Sequence, residues 1–119
     1  MQATIAKPRR AVAAEQPLQT IQTAFGLSDG ELGALFNVSR QAAQQWKTRA
    51  VPPSRIADVG RVADLARLLK RRLRAERLPQ IVRTPGRGLQ DRTVLEVLAK
   101  HGVDPIYEYL ERLYSYSGL

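Results

Sequence analysis

Arg40, Gln41, Gln44, Gln45 and Lys47 fall on one side of a short stretch that, wound as a helix, turns all five outward. Their chemistry suits DNA. An arginine pairs bidentately with guanine in the major groove, and a glutamine does the same with adenine. Lys47 and Arg49 suit phosphate oxygens, which position a protein without reading sequence. Ser39 completes the set at the start of the stretch. The same residues would serve equally well as the solvated face of an ordinary small helix, so the decision rests on what surrounds them. Catalytic chemistry is poorly supplied. The chain has one histidine and no cysteine. His101 is accounted for by its place near a helix end, where cations are favoured. Glu108 and Glu111 have ordinary helix-surface spacing, and Asp58 and Asp64 lie too far round a helix to act together. The Thr84–Pro85–Gly86–Arg87–Gly88 loop has neither of the glycine patterns that cradle phosphates. No enzymatic activity, metal or cofactor is expected.

The elements that must position the polar face are legible on either side of it. Leu32, Leu35 and Phe36 fall at helical spacing, and so do Val38, Ala42, Ala43 and Trp46. Between the two sets stands Asn37, the non-glycine residue best suited to a left-handed turn. Ser39 follows as a helix N-cap. Ser28 and Glu31 have the spacing of a capping box for the first of the two helices. Leu32, Phe36, Val38, Ala43 and Trp46 would lock the pair, and Gly33 must be small because the second helix crosses above it. Helix, sharp turn and capped helix make the form of a helix-turn-helix. This stretch resembles the Cro/repressor-like (Xre-type) helix-turn-helix family, whose second helix commonly ends in tryptophan, as at Trp46. Gly33 and Asn37 replace that family's usual alanine and glycine.

The charge is uneven. The net value is +8. Residues 51–90 carry ten basic and three acidic side chains, whereas residues 91–119 carry three basic and five acidic. A basic body suggests a polyanion partner, and the mildly acidic end suggests a different one. No apolar run is long enough to span a membrane, and no secretory leader is visible. With no cysteine for disulfides, a cytoplasmic protein without a membrane partner is expected.

Residues 1–16 read as a flexible arm, with Lys7, Arg9 and Arg10 able to follow DNA. Residues 17–53 read as the helix-turn-helix domain, with a first helix opened at Pro17 and ended by Gly26. Ser54 is expected to cap a long connecting or dimerisation helix over 54–77. Its stripe is Ile56, Val59, Val62, Ala66, Leu69 and Leu73, widened by Leu65 and Leu68. The cluster Lys70–Arg74 has three readings: contact with DNA phosphates, neutralisation of the helix C-terminus, or contact with an acidic partner. Leu78–Pro79 ends the helix. Residues 78–119 form a last unit. One helix starts at Asp91 or Thr93 and ends at Gly102; another starts at Asp104–Pro105 and runs to about Tyr114, with Ile106, Tyr107, Leu110, Leu113 and Tyr114 available for burial. The whole is expected to be all-α.

Residues Ile81 to Leu113 resemble the C-terminal toxin-binding domain of the Xre/MbcA/ParS antitoxin family. The resemblance is carried by Thr84–Pro85, Leu89, Thr93, Leu95, Glu96, Leu98 and Gly102. That family joins a helix-turn-helix to this unit through a long helix, so the layout extends the resemblance over most of the chain. It implies an antitoxin that covers the active site of a RES-type toxin, an NAD-degrading enzyme, and represses its own operon. Arg83, Arg87, Tyr114, Tyr116 and Leu119 are the candidate toxin contacts; tyrosine is favoured at interfaces. The alternative is a plain phage or plasmid repressor whose C-terminal half only dimerises. Both imply operator DNA as a partner and a homodimer that reads two half-sites.

Overall fold

Ser28, Ser39 and Thr93 stand in extended backbone one residue before a helix, and each side chain accepts a hydrogen bond from the N–H three residues on. Such caps satisfy donors that the helix itself leaves open. At Ser28 and Thr93 the reciprocal bond from the glutamate, Glu31 or Glu96, completes a capping box. In the computed structural model, which describes residues 16–116, these caps punctuate an all-helical chain. Its helices are α1 (Gln16–Phe25), α2 (Asp29–Leu35), α3 (Arg40–Thr48), α4 (Pro53–Arg72), α5 (Leu78–Ile81), α6 (Val94–His101) and α7 (Asp104–Tyr116). Turns of 3-10 helix occupy Ala75–Arg77 and Arg87–Leu89. Residues 1–15, with the basic arm, and residues 117–119, with Leu119, lie outside the described residues.

The α2–α3 corner has the expected parts. Asn37 turns the chain at φ +59°. A Cβ on Gly33 would lie 2.7 Å from the Val38 carbonyl oxygen and 2.8 Å from that of Ser39, so a side chain there would force the helices apart. Leu32, Phe36 and Ala43 are buried beneath the crossing, with Val38 and Trp46 packed against them. The Phe36 and Trp46 rings meet at 5.9 Å in a tilted arrangement. Arg55, from α4, lies over Trp46 at 5.7 Å and donates to the Phe36 carbonyl oxygen at 2.8 Å.

Helix α4 differs from its expected form in three ways. It begins at Pro53 after Pro52, so Ser54 is inside the first turn and no side chain caps it; proline tolerates that position because its missing N–H is not needed. It ends at Arg72, where Leu73 is already extended. Leu78–Pro79, expected to terminate a helix, instead opens α5, with Pro79 in its first turn. The stripe is inward at Val59, Val62, Leu65, Ala66 and Leu69, joined by Ala63, but Ile56 is 58% exposed. Likewise Leu113 on α7 is 44% exposed, while Ile106 and Leu110 are buried.

One buried cluster runs from Leu18 on α1 to Leu110 on α7, so α4 is the spine of a shared core. Two polar ties reinforce it. The Asn37 side-chain amide donates to the Ala99 carbonyl oxygen at 2.9 Å, joining the α2–α3 turn to α6. The Arg83 guanidinium donates to Glu31 at 2.8 and 3.2 Å, to the Phe25 and Gly26 carbonyl oxygens, both at 2.8 Å, and to that of Pro79 at 2.7 Å. Gly26 sits at φ +63°, and a Cβ there would press on the Pro79 ring at 3.1 Å, so α1 must end in glycine where α5 begins.

Hydrogen bonds to a charged donor contribute about 1.5–3 kcal/mol each when not fully screened, and unpaired partners add to the loss. Replacing Arg83 by methionine, which keeps the stem and removes the donors, is therefore expected to destabilise the fold by about 2–3 kcal/mol. Urea denaturation checks this. A change below about 0.5 kcal/mol would show that water replaces the arginine without penalty.

Candidate nucleic-acid interface

The outward face of α3 is set by what its inward face must do. Ala43 and Trp46 point to the core, and that phase turns Arg40, Gln41, Gln44, Gln45, Lys47 and Arg49 to solvent. The face divides into two parts. Arg40, Gln41, Gln45 and Arg49 make no side-chain hydrogen bond or ion pair within the described residues and can meet an incoming ligand directly. Gln44 and Lys47 are already engaged. The Gln44 amide donates to one Asp29 carboxylate oxygen at 3.1 Å, and the Lys47 ammonium donates to the other at 2.5 Å. Gln22 on α1 closes the network, donating to Asp29 at 2.9 Å and accepting from Lys47 at 3.2 Å. The bond from Lys47, followed by those from Gln22 and Gln44, holds the Asp29 carboxyl far below the usual carboxylate range. Lys47 is therefore ion-paired with Asp29, and two of its three ammonium donors are already used. Ser39 is exposed, and its hydroxyl caps α3 by accepting from the Ala42 N–H at 3.0 Å.

Asp29 and Gln22 were not legible as parts of this face. Asp29 reads in sequence as a helix-start acid, and nothing in the linear pattern brings it to residues 15 and 18 positions on. The α2–α3 crossing does so.

The basic cluster lies elsewhere. Lys70, Arg71 and Arg72 occupy the last turn of α4, and about 24 Å of helix separates Arg71 from Arg55 at Trp46. There the cations complement the helix C-terminus. Arg72 also covers the Tyr114 ring at 4.7 Å.

The candidate contacts of the C-terminal half are dispersed. Arg83 is half-buried, and its donors meet Glu31 and the chain's own carbonyl oxygens. Arg87 is exposed and has no ion pair within the described residues. Tyr114 is half-buried beneath Arg72. The Tyr116 side chain, like Leu119, lies outside the description. What the structure brings together is a groove of about 350 Å³ lined by Arg77, Ile81, Leu89, Val94 and Tyr109 among others. Ile81 is 37% exposed there. The Tyr109 ring lies so close to Gly88 that a Cβ at that glycine would overlap it. Neither Gly88 nor the left-handed backbone of Gln90 and Asp91, at φ +58° and +63°, was apparent from the loop's sequence. Among the described residues, no helix is long and apolar enough to cross a membrane, and no three acidic, histidine or cysteine side chains group as metal ligands would.

Glu31, like Asp29, has its carboxyl held down, chiefly by the Arg83 bond. Both groups thus have folded values below their ordinary 3.8 and 4.5. A depressed carboxyl contributes stability above its unfolded value and loses it as pH falls through the folded one. Their contribution is expected to be flat from about pH 8 to about pH 5 and to decline below about pH 4.5. Urea midpoints followed into acid should fall further for the natural chain than for the Asp29→Asn, Glu31→Gln variant; parallel curves would refute the linkage. Compared with protein-family models, with curated proteins and with solved structures, the chain matches none.

Proposed function

We propose that the chain is a cytoplasmic DNA-binding antitoxin without enzymatic activity. In this reading α3 enters the major groove of an operator, and two copies read two half-sites. The C-terminal half, from α5 onward, covers the active site of an NAD-degrading RES-type toxin. The observation that carries the DNA-binding part is the α2–α3 corner: a left-handed Asn37, a Gly33 with no room for a side chain, and a capped α3 whose outward face is Arg40, Gln41 and Gln45. A solvated face alone would not require so tight a crossing. The toxin-binding part rests on the resemblance of residues 81–113 and is supported by the groove beside Ile81 and Tyr109, with Arg77 in its lining.

A plain repressor is the second reading, and one observation favours it. Arg83 and Asn37 fasten the C-terminal half to the helix-turn-helix, which would suit a half whose role is to support the DNA-binding unit.

Co-expression with the product of the neighbouring reading frame separates the two. Growth arrest by that product alone, with rescue and a stoichiometric complex when this chain is present, is the expected result. Absence of both arrest and complex would leave the plain repressor as the better reading. For DNA, Arg40→Ala with Gln45→Ala should weaken binding to the upstream operator by about 1–3 kcal/mol per lost base contact, with the fold intact. Binding by the natural chain should fall steeply with salt. Unchanged specific binding by the double variant, measured by fluorescence anisotropy, would remove α3 from the role of reader.

A further inference from the structure

Lys70, Arg71, Arg72 and Arg74 put four cations into five residues at the far end of α4, and all four are exposed. The proposed reading of DNA by α3 does not use them, since about 24 Å of helix separates Arg71 from Arg55. Little within the chain uses them either. A helix C-terminus carries the equivalent of about half a negative charge, which one cation offsets. Arg72 covers the Tyr114 ring at 4.7 Å. Arg74 stands 4.0 Å from Glu76 with both side chains open to solvent, a pairing that contributes little. Neither Lys70 nor Arg71 has an ion pair among the described residues. Glu111 of α7 borders the hollow that Arg72 lines, yet four cations beside these two acids leave an excess that repels itself.

We propose that this end of α4 is a second nucleic-acid contact, which holds the phosphate backbone of a duplex without reading its sequence. Charge density points to that partner. A duplex carries one phosphate charge for about every 1.7 Å of its axis, which four crowded cations can match. Three of the four are arginines, whose planar forks take phosphate oxygens in pairs. A protein partner asks for an apolar centre. The one large apolar side chain within the run, Leu73, is half-buried against the chain's own core. Contacts to phosphate position a duplex and carry no sequence information. The patch is thus separate from the α3 face, and it does not rest on α3 as a reader.

Fluorescence anisotropy of the full chain with a labelled duplex unrelated to the operator, about three helical turns long, provides the test. The natural chain is expected to bind it, with a steep loss of affinity between about 50 and 200 mM salt. Lys70→Gln, Arg71→Gln and Arg74→Gln in one chain should make the log–log salt slope shallower by about 2–3 and weaken binding at least tenfold at the lower salt. Glutamine is a good helix former, and circular dichroism verifies that the fold survives. Arg72 is left in place because it packs on Tyr114. Arg61→Gln, Arg92→Gln and Lys100→Gln together remove the same charge elsewhere and should change the slope by less than about 1. An unchanged slope in the first variant would overturn the proposal. So would an equal loss in the second, which would show that net charge alone is at work. Poly-L-glutamate that displaces the labelled duplex as well as unlabelled duplex does, at equal charge, would assign the patch to an acidic protein instead. The Arg40→Ala, Gln45→Ala variant separates this proposal from the reading of α3, since it should lose operator preference and keep the unrelated duplex. Kept operator preference would remove α3 as reader and leave the patch standing; loss of the unrelated duplex would remove the patch.

Discussion

The Arg83 guanidinium lies where three segments distant in sequence converge: the end of α1, the first turn of α2 and the body of α5. A planar fork of five donors can serve several acceptors at once, and a lysine ammonium cannot. The acceptors here are a carboxylate and three carbonyl oxygens near helix ends, where such oxygens lack a helical partner. Glu31 has two roles, since the carboxylate that completes the Ser28 capping box also receives Arg83. The start of α2 and the placement of α5 are therefore fixed by the same group. Apolar burial provides the mass of the core, but it does not specify angles, and this polar junction does.

The same logic extends to the α3 surface. Asp29 sits in the first turn of α2, where a negative charge is favoured by the helix dipole, and from there it restrains two side chains of the neighbouring helix. Long polar side chains lose rotamer freedom when they are ordered by a ligand. Gln44 and Lys47 have already lost part of theirs, whereas Arg40, Gln41 and Gln45 have not. The face is thus a mixture of pre-set and adaptable groups. The carboxylate, on α2, also moderates the local positive field at the α3 surface.

Much of this was legible in the chain because it depends on local chemistry. Ser28 with Glu31, Ser39, Asn37 and the pair Gly26 and Gly102 act within a few residues of themselves, and helix starts and turns appear where those types occur. The apolar stripe of α4 was legible for the same reason through Val59 to Leu69. What failed was long-range. Arg83 looks like any surface arginine until α5 is placed against α1, and its partners on α2 and at the end of α1 are 52 to 58 positions away. Ile56 fits the α4 period but falls at the edge of the stripe, where only the neighbouring helices decide whether it is covered. Ser54 is a good cap by type, yet two prolines before it already set the backbone from which the helix starts.

The bond from Asn37 to the Ala99 carbonyl oxygen has a thermodynamic implication. The turn that sets the angle between α2 and α3 shares a hydrogen bond with the last turn of α6, so the pose of the one and the position of the other are not independent variables. A ligand that prefers one placement of α6 alters the free energy of each pose of α3, and a ligand of α3 acts back on α6 by the same amount. With the Arg83 junction and the shared core, that bond makes the helix-turn-helix and the C-terminal helices one mechanical body instead of two adjoining modules.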